Sequence, residues 1–230
     1  MPIYRHWSLF KSRRTHFMHI YGLIIGISLL IGINYFLSKN VIPKNHQNFF
    51  IFGLVIFSII GARLYHVIDQ WPYYSQHLLS IPATWNGGLG IYGGLLAGII
   101  FIFFYSLLTK TSILKILDAI TPILPLCQSI GRLGNFVNQE IPLWYIEAAL
   151  NLILFFVIKL SPKNPTAKYF IGYGLIRFIF EFFRSDTWVI SQIKIAQLIS
   201  IIFIFTGFYL LINNYNSSKI NNTSIDSDKN

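Results

Sequence analysis

Two arginines in apolar surroundings, Arg132 and Arg184, are the side chains of this sequence best suited to chemistry, and each stands among polar neighbours at helical spacing. The first lies in residues 131–140, GRLGNFVNQE, where Arg132, Asn135 or Phe136, and Gln139 share one helix face. A planar guanidinium grips a phosphate with paired hydrogen bonds, and side-chain amides add further contacts. Gly131 and Gly134 would let a ligand or a neighbouring backbone come close. The same residues would also serve a structural Arg–Glu pair capping a helix end. In the second region Arg177, Glu181 and Arg184 fall at i, i+4 and i+7, one charged stripe on an otherwise apolar helix. That stripe reads as a mutually neutralising network or as a functional site, and a second arginine on the face that holds Arg132 favours anion binding.

Other motifs carry less. Residues 88–93 are formally GxGxxG, but no strand or soluble βαβ unit surrounds them, so a dinucleotide site is set aside. Gly90, Gly94 and Gly98 instead form a smooth helix face suited to a partner helix or an acyl chain, with Tyr92 projecting among them. Cys127 is the sole cysteine, which excludes an intrachain disulfide, and with no histidine near it in sequence it reads as a small core residue. His66 and His77 read as structural or surface residues. Metal-ligand spacing and a GxSxG elbow are both missing from the sequence, so neither a metal nor a cofactor is expected.

The elements that must hold these residues follow from composition. Of the 230 residues 54% are hydrophobic and 11% charged, against about a quarter charged in soluble domains. Apolar stretches long enough to cross a bilayer, about 20 residues each, recur along the chain. The expected fold class is all-α, a polytopic membrane protein with about seven transmembrane helices, near 18–37, 49–69, 88–108, 113–131, 143–160, 169–183 and 193–213. Residues 1–17, with Arg5, Lys11, Arg13 and Arg14, form a basic N-terminal segment ahead of a helix that is retained rather than cleaved. A single membrane domain is expected over 18–213, and an Asn- and Ser-rich, disordered tail over 214–230. Residues 70–86, with Trp71, Tyr73, Tyr74 and Trp85 and neither Lys nor Arg, read as interfacial. The net charge of +10 calls for anionic partners, which for a membrane chain means lipid rather than nucleic acid.

Seven spans put the ends of the even helices and the beginnings of the odd ones on one membrane face. Tyr21, Arg63, Tyr92, Arg132, Asn135, Glu147, Glu181 and Arg184 all fall there. Intramembrane charges face a bundle interior or a wet cavity, so this parity points to one polar site open to one side. Lys and Arg outside the spans divide seven to nine between the faces, or five to nine without Arg132 and Arg184, which leans towards an outward-facing site, while the basic N-terminus leans the other way.

The decamer 131–140 resembles the signature of the bacterial prolipoprotein diacylglyceryl transferase family. HIYGL at 19–23, GARL at 61–64 with the aromatic segment after it, WNGGLGIYGG at 85–94 and EFFR at 181–184 resemble other blocks of that family in the same order. Asp118 and the stretch 142–147 also resemble family positions, and the likeness covers about 18–211. It implies a seven-helix enzyme of the bacterial inner membrane, with an outward N-terminus and an outward-facing active site. Such an enzyme moves diacylglyceryl from phosphatidylglycerol to the thiol of the lipobox cysteine in prolipoprotein signal peptides and releases glycerol phosphate. The partners implied are phosphatidylglycerol, prolipoproteins and membrane lipids, with no nucleic acid and no cofactor.

Carried onto this sequence, the resemblance makes Arg132, Arg184 and Tyr92 catalytic candidates, the arginines holding the phosphate. Asn135 and Asn138 would orient the headgroup, Tyr21 would contact lipid or peptide, and Glu140, Glu147 and Glu181 would position the arginines. Arg63, Gly93 and Gly94 complete the expected substrate-binding set. Two departures stand out. Tyr92 occupies a position where many members carry a histidine, and a phenol ordinarily keeps its proton at neutral pH, so the base is unassigned. Ile141 and Pro142 follow Glu140 directly, where the family normally has a glycine and then a soluble outward-facing segment. A non-catalytic phospholipid-binding relative and an anion transporter are the competing readings; the transporter would need a polar path to the opposite face.

Overall fold

A computed structural model describes the backbone of residues 3–138, 143–184, 189–190 and 193–227. Side chains are described within 20–136, Tyr21 and Asn86 aside, and over 143–184 and 194–213. The described chain is all-α apart from one two-residue antiparallel pairing, Val189–Ile190 with Ile193–Lys194. In order the helices are α1 Ile3–Ser38, α2 Lys44–Asp69, α3 Trp71–Tyr74, α4 Ile91–Thr109, α5 Ile113–Ile120, α6 Leu124–Asn138, α7 Trp144–Leu160, α8 Pro165–Phe180 and α9 Ile195–Ser227. Single tight turns of 3-10 helix occupy Leu78–Ser80, Thr84–Asn86 and Glu181–Phe183.

Three described helices, Lys44–Asp69, Ile91–Thr109 and Ile195–Asn213, are long and apolar enough to cross a membrane, and α5 with α6 makes a fourth candidate bent by 48°. The bend has a local cause. Pro122 lacks the N–H that would continue the ladder of α5 and disfavours helical geometry in Thr121, while Pro125 sits in the first turn of α6, where a missing N–H is tolerated. The expected fourth span is therefore two helices, the second continuing to Asn138 and so carrying Arg132 and Asn135 within it. The remaining apolar helices are shorter: Gly22–Ser38 within α1, the 17 residues of α7 and the 16 of α8. Large apolar side chains such as Leu23, Ile68, Leu108, Leu160 and Phe205 point outward, the arrangement of a protein solvated by lipid tails. The chain is a membrane protein.

The fold divides into two compact units, 37–117 and 1–36 with 118–230. In the first, α2 and α4 pack through small residues. A Cβ on Gly93 would strike the Gly61 carbonyl and one on Gly61 the Gly93 carbonyl, while Gly94 and Gly98 lie against Ser58. The small-residue face thus meets a partner helix. Farther along the same pair, Phe50 packs edge-on to Tyr105, with 4.8 Å between ring centroids.

In the second unit α6 packs on α7, and α8 on α7 and α9. Leu154, Ile158, Tyr169, Ile176 and Phe180 form its apolar core. Cys127 joins α6 to α1: Ser28 Oγ donates to the Cys127 carbonyl at 3.0 Å and Cys127 Sγ to the Ser28 carbonyl at 3.3 Å. Asp118 accepts from the N–H of Thr166 at 3.3 Å and from its hydroxyl at 2.5 Å, satisfying an orphan donor in the first turn of α8. Side chains past Asn213 lie outside the described residues.

Candidate active site

Arg132 sits two turns into α6 and reaches across to Glu147 in the first turn of α7. The turn that opens α7 is set by Leu143 in a left-handed conformation, φ 58°, whose carbonyl accepts from the N–H groups of Ile146 at 3.1 Å and Glu147 at 3.2 Å. Arg132 Nη2 pairs with Glu147 Oε1. The carboxylate is wholly buried and the arginine side chain 17% exposed, so the ion pair has one face towards the surroundings. Taking a carboxylate out of water costs several kcal/mol unless a partner charge offsets it, which makes each member dependent on the other. The pairing is incomplete: Arg132 Nε and Glu147 Oε2 are buried with no hydrogen-bond partner among the described residues. Two further bonds hold the frame. Ser129 Oγ donates to the Ala148 carbonyl at 2.8 Å, tying α6 to α7, and Asn151 Nδ2 donates to the Glu147 carbonyl at 2.9 Å. Asn135, one turn beyond Arg132, is buried on the same helix.

The second arginine region lies at the end of α8. Arg177 Nη2 pairs with Glu181 Oε2 at 2.8 Å, and Glu181 is wholly buried. The helix then tightens into the 3-10 turn Glu181–Phe183, and Arg184 leaves it with extended backbone, φ −102° and ψ 133°. That change of geometry gives Glu181 to the arginine one turn before it rather than to Arg184. Lys194 closes the turn: its Nζ donates to the carbonyls of Glu181 at 2.5 Å and Arg184 at 2.6 Å.

The unit 37–117 holds the other described candidates. Arg63 is 6% exposed, and its guanidinium is ringed by carbonyls. Nε donates to Ile81 at 2.7 Å, Nη1 to Gly87 at 2.7 Å and Gly88 at 3.0 Å, and Nη2 to Ser80 at 2.6 Å, with the plane over the Tyr74 ring. Gly87 and Gly88 have φ of +84° and +75°, values that suit only glycine at low cost, and a Cβ on Gly88 would collide with His66 and Arg63. Arg63 therefore folds the interfacial segment back onto α2. Tyr92 opens α4 beside Tyr65, with ring centroids 6.3 Å apart. Gly93 and Gly94 face α2 in the helix contact described above.

The side chains of Tyr21 and Asn138, and Glu140 altogether, lie outside the described residues. What the geometry adds is Asn151, Arg177 and Lys194. Asn151 repeats Glu147 at i+4, a polar pair inside an apolar helix that spacing could have flagged. Arg177 was visible in the stripe but its tie to Glu181 at 2.8 Å was not. Lys194 had no local signal, because its partners lie 10 and 13 residues back.

Comparison with known proteins agrees with the likeness in the motifs. A family model described as prolipoprotein diacylglyceryl transferase matches residues 9–144 and 142–213. A phosphatidylglycerol–prolipoprotein diacylglyceryl transferase of Streptococcus uberis is 33% identical over 236 residues, covering 85% of this chain and 90% of that protein. Proteins of the same name from Streptococcus equi subsp. zooepidemicus and Streptococcus mutans are 30% and 31% identical, covering 88% and 83% of this chain and 93% and 86% of their own lengths. With arginine segments, interfacial segment and glycine face all inside the matched region, the chain belongs to the prolipoprotein diacylglyceryl transferase family.

Proposed function

We infer that this protein is a membrane transferase that moves the diacylglyceryl group of phosphatidylglycerol to the thiol of a prolipoprotein's lipobox cysteine, an early step in lipoprotein maturation. Family membership supports the reaction, and the observation that carries the site is Arg132, held by a wholly buried glutamate with its Nε still lacking an acceptor among the described residues. The substrate thiolate attacks the glycerol carbon that bears the phosphate. A carbon–sulfur bond forms, the carbon–oxygen bond breaks, and the electron pair leaves on the phosphate oxygen as glycerol phosphate. The thiol proton passes to a base. Since the nucleophile arrives with the peptide, the enzyme's own task is to hold the phosphate and favour the charge that grows on it.

Arg132 and Arg184 take that task, Arg132 set by Glu147, and both act in a site of lowered dielectric where such donors count most. Asn135 and Asn138 orient the headgroup, Tyr21 meets lipid or peptide, and Glu140 and Glu181 support the charged cluster, the latter through Arg177. Arg63, Gly93 and Gly94 shape the lipid-facing region by fixing the interfacial segment and the approach of α4 to α2. Tyr92 is the candidate to act on the substrate thiol, with the base itself unassigned. The protein crosses the bacterial inner membrane seven times, α1, α7 and α8 completing the longer spans, with the site facing outward. The test is direct: purified protein, phosphatidylglycerol micelles and a lipobox peptide yield a thioether-linked diacylglyceryl peptide by mass spectrometry. Bound lipid without product would mark a non-catalytic relative.

A further inference from the structure

We propose that Lys194 is a positioning residue for Arg184, and that its ammonium makes the end of α8 fit to receive a phosphate. The proposal rests on the reading of Arg184 as a phosphate ligand.

Arg184 is the first residue beyond a helical turn, and such a position carries an electrostatic handicap. The last carbonyls of a helix concentrate about half a negative charge, which repels an anion. Here the carbonyl of Glu181, in that last turn, and that of Arg184, just beyond it, both accept from Lys194 Nζ, at 2.5 and 2.6 Å. One ammonium thus satisfies the Arg184 carbonyl, adds a charge-assisted bond to the Glu181 carbonyl that the Arg184 N–H already meets at 3.3 Å, and offsets the helix end at the place where the arginine leaves it. A bond to the carbonyl of Arg184 itself also fixes the backbone from which that side chain departs. The support comes from outside the turn: Lys194 pairs with Val189 in the short antiparallel pairing and is followed at once by α9, which packs along α8. Gly174 and Gly207 mark that packing, since a Cβ on either would meet backbone of the opposite helix. Among the described residues Lys194 has no carboxylate partner. An ammonium with three donors and a flexible stem suits two converging carbonyls, and arginine at 194 would keep the charge with poorer aim.

The test uses the full-length protein in phosphatidylglycerol micelles with a lipobox peptide, comparing Lys194→Met, Lys194→Arg, Arg184→Ala, Arg184→Lys and the double variant Lys194→Met/Arg184→Lys, each checked for thermal unfolding in detergent. Lys194→Met should lower kcat/KM for phosphatidylglycerol about ten- to hundredfold, the scale of a lost charge-assisted bond, while KM for the peptide holds. Lys194→Arg should recover most of the loss. In the Arg184→Lys background, removing Lys194 should cost much less than in the native one, because both changes act through the same guanidinium. Native turnover by Lys194→Met alongside an inactive Arg184→Ala would overturn the proposal and leave the reading of Arg184 intact. Equal losses in the two backgrounds, or losses in Lys194→Met and Lys194→Arg alike that follow their unfolding, would assign Lys194 a structural role and also overturn it. Native turnover by Arg184→Ala would remove the reading beneath the proposal.

Discussion

Arg63 on α2 donates to the carbonyls of Ser80, Ile81, Gly87 and Gly88, whereas Arg132 on α6 meets one buried carboxylate and keeps its Nε without an acceptor among the described residues. Both are arginines in apolar helices, and burial does not separate them by kind. The difference lies in what satisfies the guanidinium. A ring of carbonyls uses its donors in every direction and turns the side chain into a staple for the segment it folds. A single carboxylate fixes position and offsets charge, yet leaves donor capacity for a ligand. Residue type and depth in a span mark both arginines as unusual; only the partners tell which one has its donors taken up by the fold and which one keeps donor capacity.

The contrast can be broken by substitution. Glu147→Ala leaves the Arg132 charge partly buried without its partner and should cost about 3–5 kcal/mol, seen as a lower unfolding temperature and lost lipidation. Glu147→Gln should be milder. Arg63→Lys keeps the charge but not the fork, so it should destabilise by about 2–3 kcal/mol, with the remaining activity proportional to the folded fraction. Gly93→Leu drives a side chain into the Gly61 carbonyl and should cost about 1–3 kcal/mol, read by the same melt. Asn151→Ala removes one bond to the Glu147 carbonyl and should cost about 1 kcal/mol, with turnover close to native. If Arg63→Lys proved stable and inactive, the staple reading of Arg63 would give way to a direct role in lipid binding.

Much of this was legible in the residues alone. The helices around 49–69, 88–108 and 193–213 follow from apolar runs, and α2, α4 and the apolar part of α9 fill them. The glycine face of 90, 94 and 98 announced a close helix contact, and the partner is α2. The motifs pointed to the family that the comparisons then found. The partners of the charges were harder to see. Glu181 could face Arg177 at i−4 or Arg184 at i+3, and the choice is made by a tightening of the backbone after Phe180 that no spacing rule contains. Arg63 is satisfied by carbonyls 17 to 25 residues away, brought back by two glycines at positive φ, a long-range closure that a local pattern does not encode. The single span expected at 113–131 is interrupted because Pro122, between α5 and α6, outweighs an apolar run.

The most direct test of the central claim is lipidation by Arg132→Lys, which keeps a positive charge beside Glu147 while removing the paired donors that grip a phosphate. With the protein folded as the native chain, turnover on phosphatidylglycerol and a lipobox peptide should fall by about a hundredfold or more. Native turnover in that folded variant would contradict the account.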